Sequence, residues 1–514
     1  MYYNKIVNFF RTYQNYLVVF ISLIFSTLTG YLRQTSIAYV LGAGKTTDIF
    51  LVSYAIPEFV FIALPIILTP VIIPFFIRLR QKFGEETAWS FAKKIFIFFV
   101  IIILVLVFIN FVASSVFIRW LSPGFEKFEH IQAGQLFNLM LPGIFFMGLA
   151  SLMGAFLQIF RKFARPILMT AVYNVVFIIC LFMFPDKDAL VRAGWGVTLG
   201  ALAAFLLQLP LFLKLLPSGI FNHWQESTFN GNFSKVYKLT IWIAAGYLTH
   251  HTILFIDRAM ATSTGEGNAS ILSFAYHLAL TIGQLSGLAV SMVIFPDISE
   301  KLSESLFEKA NQYLVKALKL VFMFSLPVSF GLILFRLPVT KLLFEHGAFG
   351  SNTTNLVGNT LIYYTISVFV DSLCQPLWRT VYAWQKGSVV FYVNLVQTFI
   401  RLAANFILVK NIGYNGIALS AVLGLLVQFV LLVIIARRQF AFKINLVDVK
   451  EFGTVIFASV FAMVVILWGE MIWNREQNIF FLILYGSIFV ISYLFVLLVI
   501  NKLLKHKILK GMSQ

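Results

Sequence analysis

Long apolar stretches alternate with short polar connections along the whole chain. Each stretch runs about 20 to 30 residues, enough for a helix to cross a hydrocarbon core of about 30 Å. Fourteen such spans are predicted, at 16–42, 49–77, 94–118, 135–160, 166–185, 194–217, 237–262, 270–296, 313–336, 355–384, 388–410, 414–436, 452–473 and 478–501. The first is read as a span and not as a cleaved leader, because Tyr16 to Leu41 is too long for a leader's apolar region and carries Arg33. No connection exceeds about two dozen residues, which leaves no room for a separate catalytic domain. The pattern predicts an all-α polytopic membrane protein that makes and breaks no bonds.

Composition agrees and narrows the class. Of 514 residues 60% are hydrophobic and 12% charged, with a mean hydropathy of +0.89, which excludes a water-soluble enzyme. The net charge of +18 would suggest nucleic acid in a soluble protein, so the positions of the basic residues decide its meaning. Alternate connections carry 24 Lys and Arg on one side, from Lys5 and Arg11 through the Arg78 to Lys94 cluster to Lys510, and 9 on the other, including Lys45, Arg119, Lys127, Lys187, Lys386's opposite neighbour Lys410, and Arg475. Positive-inside counting then puts both termini in the cytoplasm, and anionic lipid headgroups account for the basic surplus without nucleic acid. Six basic residues lie inside or at the edge of spans: Arg33, Arg258, Lys316, Lys319, Arg379 and Arg401. Cys180 and Cys374 both sit in apolar runs, so neither a disulfide framework nor a cysteine metal site is expected. No cofactor or metal is expected.

The chain repeats itself. Gly30-Tyr-Leu-Arg-Gln-Thr-Ser-Ile37 in the first span returns as Gly246-Tyr-Leu-Thr-His-His-Thr-Ile253 in the seventh, an offset of 216. Ser53-Tyr-Ala55 matches Ser273-Phe-Ala275, and Ile73-Pro74 matches Phe295-Pro296, at offsets of 220 and 222. Both copies start from the same side, so the repeat is parallel, two six-helix lobes about a pseudo-two-fold axis along the membrane normal, as in two-lobed transporters. The expected domains are 1–217 (spans 1 to 6), 218–440 (spans 7 to 12) and 441–514 (spans 13 and 14 with a basic tail).

Ser26-Thr-Leu-Thr-Gly-Tyr-Leu-Arg33, followed by Leu41-Gly-Ala-Gly44, Thr47-Asp48 and Ile56-Pro57, resembles the opening of the MurJ/MviN family of lipid-linked precursor flippases. Asp257-Arg258-Ala-Met-Ala261, Phe295-Pro296-Asp-Ile-Ser299, Leu343-Phe-Glu-His-Gly-Ala-Phe349 and Ile412-Gly-Tyr-Asn-Gly-Ile-Ala-Leu419 look like further family landmarks in the same order. The resemblance spans essentially the whole chain. It implies the MOP exporter fold, with spans 13 and 14 forming a groove for a polyprenyl tail. It further implies a bacterial inner-membrane flippase carrying an undecaprenyl-pyrophosphate-linked saccharide, lipid II or a relative, to the outer leaflet. An O-antigen or exopolysaccharide flippase and a multidrug exporter on the same fold are the alternatives. Partners are expected to be that lipid and the surrounding membrane lipids, with the protein a monomer, and coupling to the membrane potential, sodium or protons stays open. Two departures stand out: Thr27 falls where the family has its first cavity arginine, and Phe61 falls near the place of another. His277 likewise falls at a family arginine in the eighth span.

The intramembrane polar residues are the candidate site, because an unpartnered charge at that depth costs several kcal/mol. Arg33 is a candidate pyrophosphate clamp, since guanidinium binds phosphate oxygens in pairs, or else a structural ion. Thr27, Glu58, His250 and His277 are the other candidates for the substrate cavity; His251 adjoins His250, and adjacent residues cannot both face it. Asp257 and Arg258 point about 100° apart on one helix, so each needs another partner. Arg401 is a candidate for Asp257. By the resemblance, Arg401 and Asn405 fall where some members hold sodium, so Arg401 is expected to stand in for the ion. Asp48 can cap its helix, Asp371 and Arg379 share a helix face two turns apart, and Pro57, Pro65, Pro70 and Pro74 in span 2, with Gly283 and Gly287 in span 8, are expected to bend or hinge moving parts.

Overall fold

The computed structural model describes residues 2–183, 188–217, 233–304, 306–383, 387–440, 442–472 and 479–503. Lys187, Lys386, Arg475, Lys505, Lys507 and Lys510 of the orienting basic residues, and the side chains of His250, Pro70 and Pro74, lie outside the described residues. Every regular element among the described residues is an α-helix, and each of the fourteen predicted spans overlaps helix, with 94–118 broken at Ala113 and 313–336 at Phe335. Eleven helical stretches among the described residues are long and apolar enough to cross a membrane.

Two compact units divide the chain after Gly267. The first holds α1 (Tyr2–Leu41), α2 (Lys45–Val112), α3 (Ser114–Leu121), α4 (Lys127–Ile159), α5 (Ala164–Met183), α6 (Ala189–Leu215) and α7 (Phe233–Ser263). The second holds α8 (Asn268–Ser303), α9 (Phe307–Leu334), α10 (Arg336–Phe344), α11 (Ser351–Ala383), α12 (Gly387–Ile412), α13 (Asn415–Phe440), α14 (Leu446–Ile472) and α15 (Ile479–Leu503). Compactness places α7 with the first unit because it packs on α2 and α3. The duplication boundary expected at 217/218 is a different property of the chain, set by sequence and not by packing.

One helix, α2, covers two predicted spans because their connection is itself helical except at Gly84. Gly84 has φ 86° and ψ 175°, a left-handed conformation that a side chain disfavours, and it turns the chain between the apolar stretches Lys45–Thr69 and Leu79–Val112. The prolines of span 2 leave the helical dihedrals of α2 intact.

The duplication is visible in how each unit packs. In the first unit α4 is the hub, packed on α2 and α6, with α5 on α6; in the second α11 is the hub, packed on α8 and α13, with α12 on α13. The short helices α3 and α10 take matching places, each just before its hub and packed on it. Hydrogen bonds from small polar side chains cross the helix contacts. Ser53 donates to the Ala133 carbonyl (2.9 Å), Thr198 to Leu139 (2.6 Å) and Gln208 to Ala150 (3.0 Å), all onto α4. Apolar residues on the outside are left bare, among them Phe108 (67% exposed), Phe399 (69%) and Phe495 (64%), as expected of helices whose solvent is lipid.

Gly283 and Gly287 mark a close crossing of α8 and α11. A Cβ on Gly287 would lie 2.8 Å from Ser372 Cα, and one on Gly283 would lie 2.6 Å from Val368 Cγ1. Contact explains these glycines without the expected hinge.

Within the second unit α14 is pinned to α9 by charge. Lys319 pairs with Asp448 and with Glu451 (2.6 Å), two acids one turn apart on α14. Both carboxylates are mostly buried, so removing the cation leaves two desolvated negative charges. Lys319→Met is expected to destabilise the detergent-solubilised protein by about 2 kcal/mol, after allowing for partial exposure of the lysine, while Lys319→Arg is near neutral. Thermal unfolding of the purified variants checks it.

Candidate functional site

Four residues on α2 recur at helical spacing, Phe50, Tyr54, Glu58 and Phe61, and so share one face. Tyr173 and Phe177, four apart on α5, do the same. Between these faces lies Arg33 of α1. Its Nη1 donates to the Tyr54 hydroxyl (3.1 Å), which also receives the Tyr173 hydroxyl proton (3.1 Å). The guanidinium carbon sits 5.7 Å from the Tyr54 ring centre, 5.6 Å from Tyr173 and 5.8 Å from Phe177. Contacts of this kind are worth about 0.5 to 2 kcal/mol each and hold the cation without neutralising it.

Phe61 completes the cage. Where the family resemblance places an arginine, this ring stands edge-on to Tyr173 (5.4 Å) and to Tyr54 (6.2 Å). Arg33 Nε is buried and has no hydrogen-bond partner among the described residues. An unsatisfied buried donor on a fixed cation is a ready acceptor site for an anion's oxygen.

The cage depends on how closely α6 approaches α5. A Cβ on Gly200 would lie 2.8 Å from the Tyr173 carbonyl oxygen, and one on Gly196 would lie 2.9 Å from Phe177 Cδ2. Both glycines bear on the two residues that stack over Arg33, which makes them positioning residues. Gly200→Ala is expected to displace Tyr173 and weaken headgroup binding about tenfold. Gly453→Ala, where a Cβ would meet nothing within 4 Å, is expected to bind as the unmodified protein does. Ligand titration of the two purified variants, with unfolding temperatures alongside, separates a binding defect from a folding one.

Next to the cage, Glu58 pairs with Arg258 of α7 (2.5 Å), and Arg258 Nη1 also donates to the Leu51 carbonyl (3.0 Å). Arg258 therefore has its partner on span 2. Higher along the same helices, Asp48 is buried and accepts the Gly267 N–H (2.7 Å), while the N-cap of α2 is Gly44 and carries no side-chain cap. Asp48 is thus a tie to the connection that follows α7, and the expected capping role is not seen. Lys45 adds ion pairs with Glu129 and with Glu266 (3.2 Å). Pro57 is buried on α2 beside Glu58.

The other candidates have local partners of their own. Thr27 is exposed, and its hydroxyl donates to the Leu23 carbonyl of its own helix (2.9 Å). His251 stands edge-on to Phe59 (6.1 Å). In the second unit His277 lies against Tyr276 (5.7 Å), Asp371 accepts from Gln375 (3.2 Å), and Asn405 accepts from the Ser420 hydroxyl. The stem of Arg401 is buried against α13, where a Cβ on Gly424 would lie 3.1 Å from Arg401 Cβ. Asp257, which is also buried, belongs to the first unit.

Membrane-length helices, a packing pattern used twice, and a caged cation with a free hydrogen-bonding edge define a polytopic membrane protein of the two-lobed transporter class. A family model described as lipid II flippase MurJ matches residues 37–487. The chain belongs to the MurJ family. Curated relatives include a probable lipid II flippase MurJ of Thermotoga maritima, 27% identical over 441 residues that cover 84% of this chain and 87% of the relative. The lipid II flippase MurJ of Burkholderia cenocepacia is 24% identical over 429 residues, covering 80% and 81%. Among solved structures, the lipid II flippase MurJ in an inward closed conformation superposes with a TM-score of 0.83 at 21% identity, over 95% of this chain and 100% of that one. An inward-facing MATE family multidrug resistance transporter of the MOP superfamily gives 0.67 at 15% identity, over 80% and 94%. These structural likenesses establish the fold.

Proposed function

We propose that this protein is a lipid II flippase of the bacterial inner membrane, carrying the lipid-linked precursor from the cytoplasmic to the outer leaflet by alternating access. The observation that carries the reading is Arg33, a cation held in place by three rings with its Nε turned to no acceptor among the described residues. A pyrophosphate offers charged acceptor oxygens, and a guanidinium meets them in pairs. The polyprenyl tail need not enter the cage. A groove of 560 Å³ in the second unit, lined by Met323, Pro327 and Phe335 on one side and Phe489, Tyr493 and Leu497 on the other, gives it an apolar bed. It lies beside α15, the last span, in keeping with the tail groove implied by the resemblance.

Family membership supports transport without chemistry: the headgroup is bound, the lobes change access, and no bond is made or broken. Both termini are placed in the cytoplasm by the basic residues, and the protein acts as a monomer. By the family resemblance Arg401 falls where some members hold sodium, which supports transport without sodium; the membrane potential contributes about 2.3 kcal/mol per charge per 100 mV.

Depletion of the host's own flippase with this chain expressed in its place tests the reading. Restored growth, together with disappearance of the accumulated lipid II seen by mass spectrometry, is expected. No rescue by a well-expressed protein, or accumulation of a different lipid-linked glycan when this chain is lost, overturns it.

A further inference from the structure

A second cationic pocket shares no lining residue with the Arg33 cage. The apolar stretch of α2 ends at Val112, α3 turns across as a short helix, and α4 begins the next span at Lys127. In this elbow is a pocket of 510 Å³ whose polar lining comprises Ser114, Ser115, Arg119, Lys127, His130 and Gln135. Its place between the end of one apolar stretch and the start of another sets it at headgroup depth. By the distribution of basic residues it lies on the side opposite the cytoplasm.

The charges at the elbow are uneven. Among the described residues neither Arg119 nor Lys127 takes part in an ion pair, and no acid lines the pocket. The nearest acids in sequence are occupied: Glu126 and Glu129 form a capping box at the start of α4, and Glu129 is paired with Lys45. His130 Nε2 lies 3.0 Å from the Ser122 carbonyl oxygen, which fixes the ring. Around this basic hollow the surface is apolar and bare, with Val116 66% exposed, Trp120 56% and Phe128 68%. An amphiphile suits such a place: an anionic head in the pocket and chains along the exposed apolar flank.

We propose that the elbow between α3 and α4 binds the pyrophosphate of a polyprenyl-linked lipid at the outer surface, a second station for the headgroup beyond the Arg33 cage. Two cations and a histidine match a pyrophosphate, with two negative charges, better than the single charge of a phospholipid diester. The hydroxyls of Ser114 and Ser115 supply neutral donors beside them. Gly124 holds the elbow to α7, where a Cβ would lie 1.9 Å from the Thr262 carbonyl oxygen, so the pocket keeps its shape from the side on which Asp48 and Lys45 also hold α7. The proposal rests on the lipid II reading, because that reading supplies the pyrophosphate.

Native mass spectrometry of the intact protein with undecaprenyl pyrophosphate tests it. Two bound equivalents are expected for the unmodified protein. Arg119→Gln/Lys127→Gln is expected to lose one of them, with at least fivefold weaker binding of that equivalent, and Arg33→Ala is expected to lose the other. Arg119→Gln and Lys127→Gln separately are expected to weaken the same equivalent by several-fold each, which guards against a folding defect in the double variant. Unchanged stoichiometry in the double variant overturns the proposal. So does equal retention of phosphatidylglycerol, which makes the pocket a general phospholipid site, or equally tight binding of inorganic pyrophosphate, which removes the need for a lipid. Failure of the protein to move lipid II in a reconstituted assay overturns the functional reading while leaving this binding result to be judged by itself.

Discussion

Arg33→Ala abolishes rescue of a flippase-depleted strain while the protein still reaches the membrane folded. The hydroxyls of Tyr54 and Tyr173 keep each other as partners when the guanidinium is gone, so the cage loses its cation and not its walls. A hydrogen bond to a charged group contributes about 1.5 to 3 kcal/mol, so headgroup affinity is expected to fall roughly 10- to 100-fold. Arg33→Lys keeps the charge but loses the planar fork and its stacking on three rings, and is expected to recover only part of the binding, leaving it about tenfold weak. Binding of undecaprenyl pyrophosphate to the purified variants, alongside growth rescue, reads both. Equal activity in Arg33→Ala and the unmodified protein would remove Arg33 from the mechanism.

The largest expected effect on stability comes from the neighbouring pair. Glu58→Gln leaves the mostly buried Arg258 without its carboxylate, keeping the neutral Leu51 carbonyl on α2, and is expected to cost about 3 kcal/mol. For a unit of this size that corresponds to a fall of about 5 to 10 °C in the unfolding temperature. Removing both charges, as Glu58→Gln/Arg258→Gln, is expected to cost less than Glu58→Gln alone, because no desolvated charge is stranded. A double-mutant cycle measured by thermal unfolding gives the coupling directly, expected at about 2 kcal/mol. Additive single effects would mean that the two side chains act independently and that the contact is incidental. The pair also ties α7 to α2, so its loss is expected to change transport more than the stability loss accounts for, because the remaining links between these helices are ring contacts and one carbonyl bond.

Much of the architecture was legible because lipid imposes it. A helix in hydrocarbon must be long and apolar, and that requirement writes spans, connections and the repeat into the sequence. The shared landmarks around Gly30 and Gly246 pointed to a duplication, and the matched roles of α4 and α11 bear it out in packing. Arg33 was legible for the same reason, since a charge in an apolar run is costly and therefore informative. What surrounds it was not. Tyr54, Phe61, Tyr173 and Phe177 are four aromatics in a chain with 57 Phe and 19 Tyr, and nothing in one sequence says which rings meet.

The pairing of Glu58 with Arg258 joins residues 200 apart and was hidden behind the more obvious neighbour, Asp257. The glycines of α8 were misread for a related reason. A glycine that permits bending and one that permits close approach look alike until the opposing backbone of α11 is in view. The short helix α3 was partly absorbed into the third predicted span and α10 into the connection after the ninth, which concealed the elbow pocket.

The aromatic cage also constrains how a cargo can leave. A guanidinium stays protonated at any physiological pH, so Arg33 cannot let go of an anion by giving up its charge. Three rings pack against its guanidinium, and a charged contact strengthens as the surrounding dielectric falls. Release is then a matter of wetting: admitting water to the cage weakens the grip, and drying it restores the grip. The two stations would differ in hydration before they differ in shape, and the cycle would turn on which of them is wet.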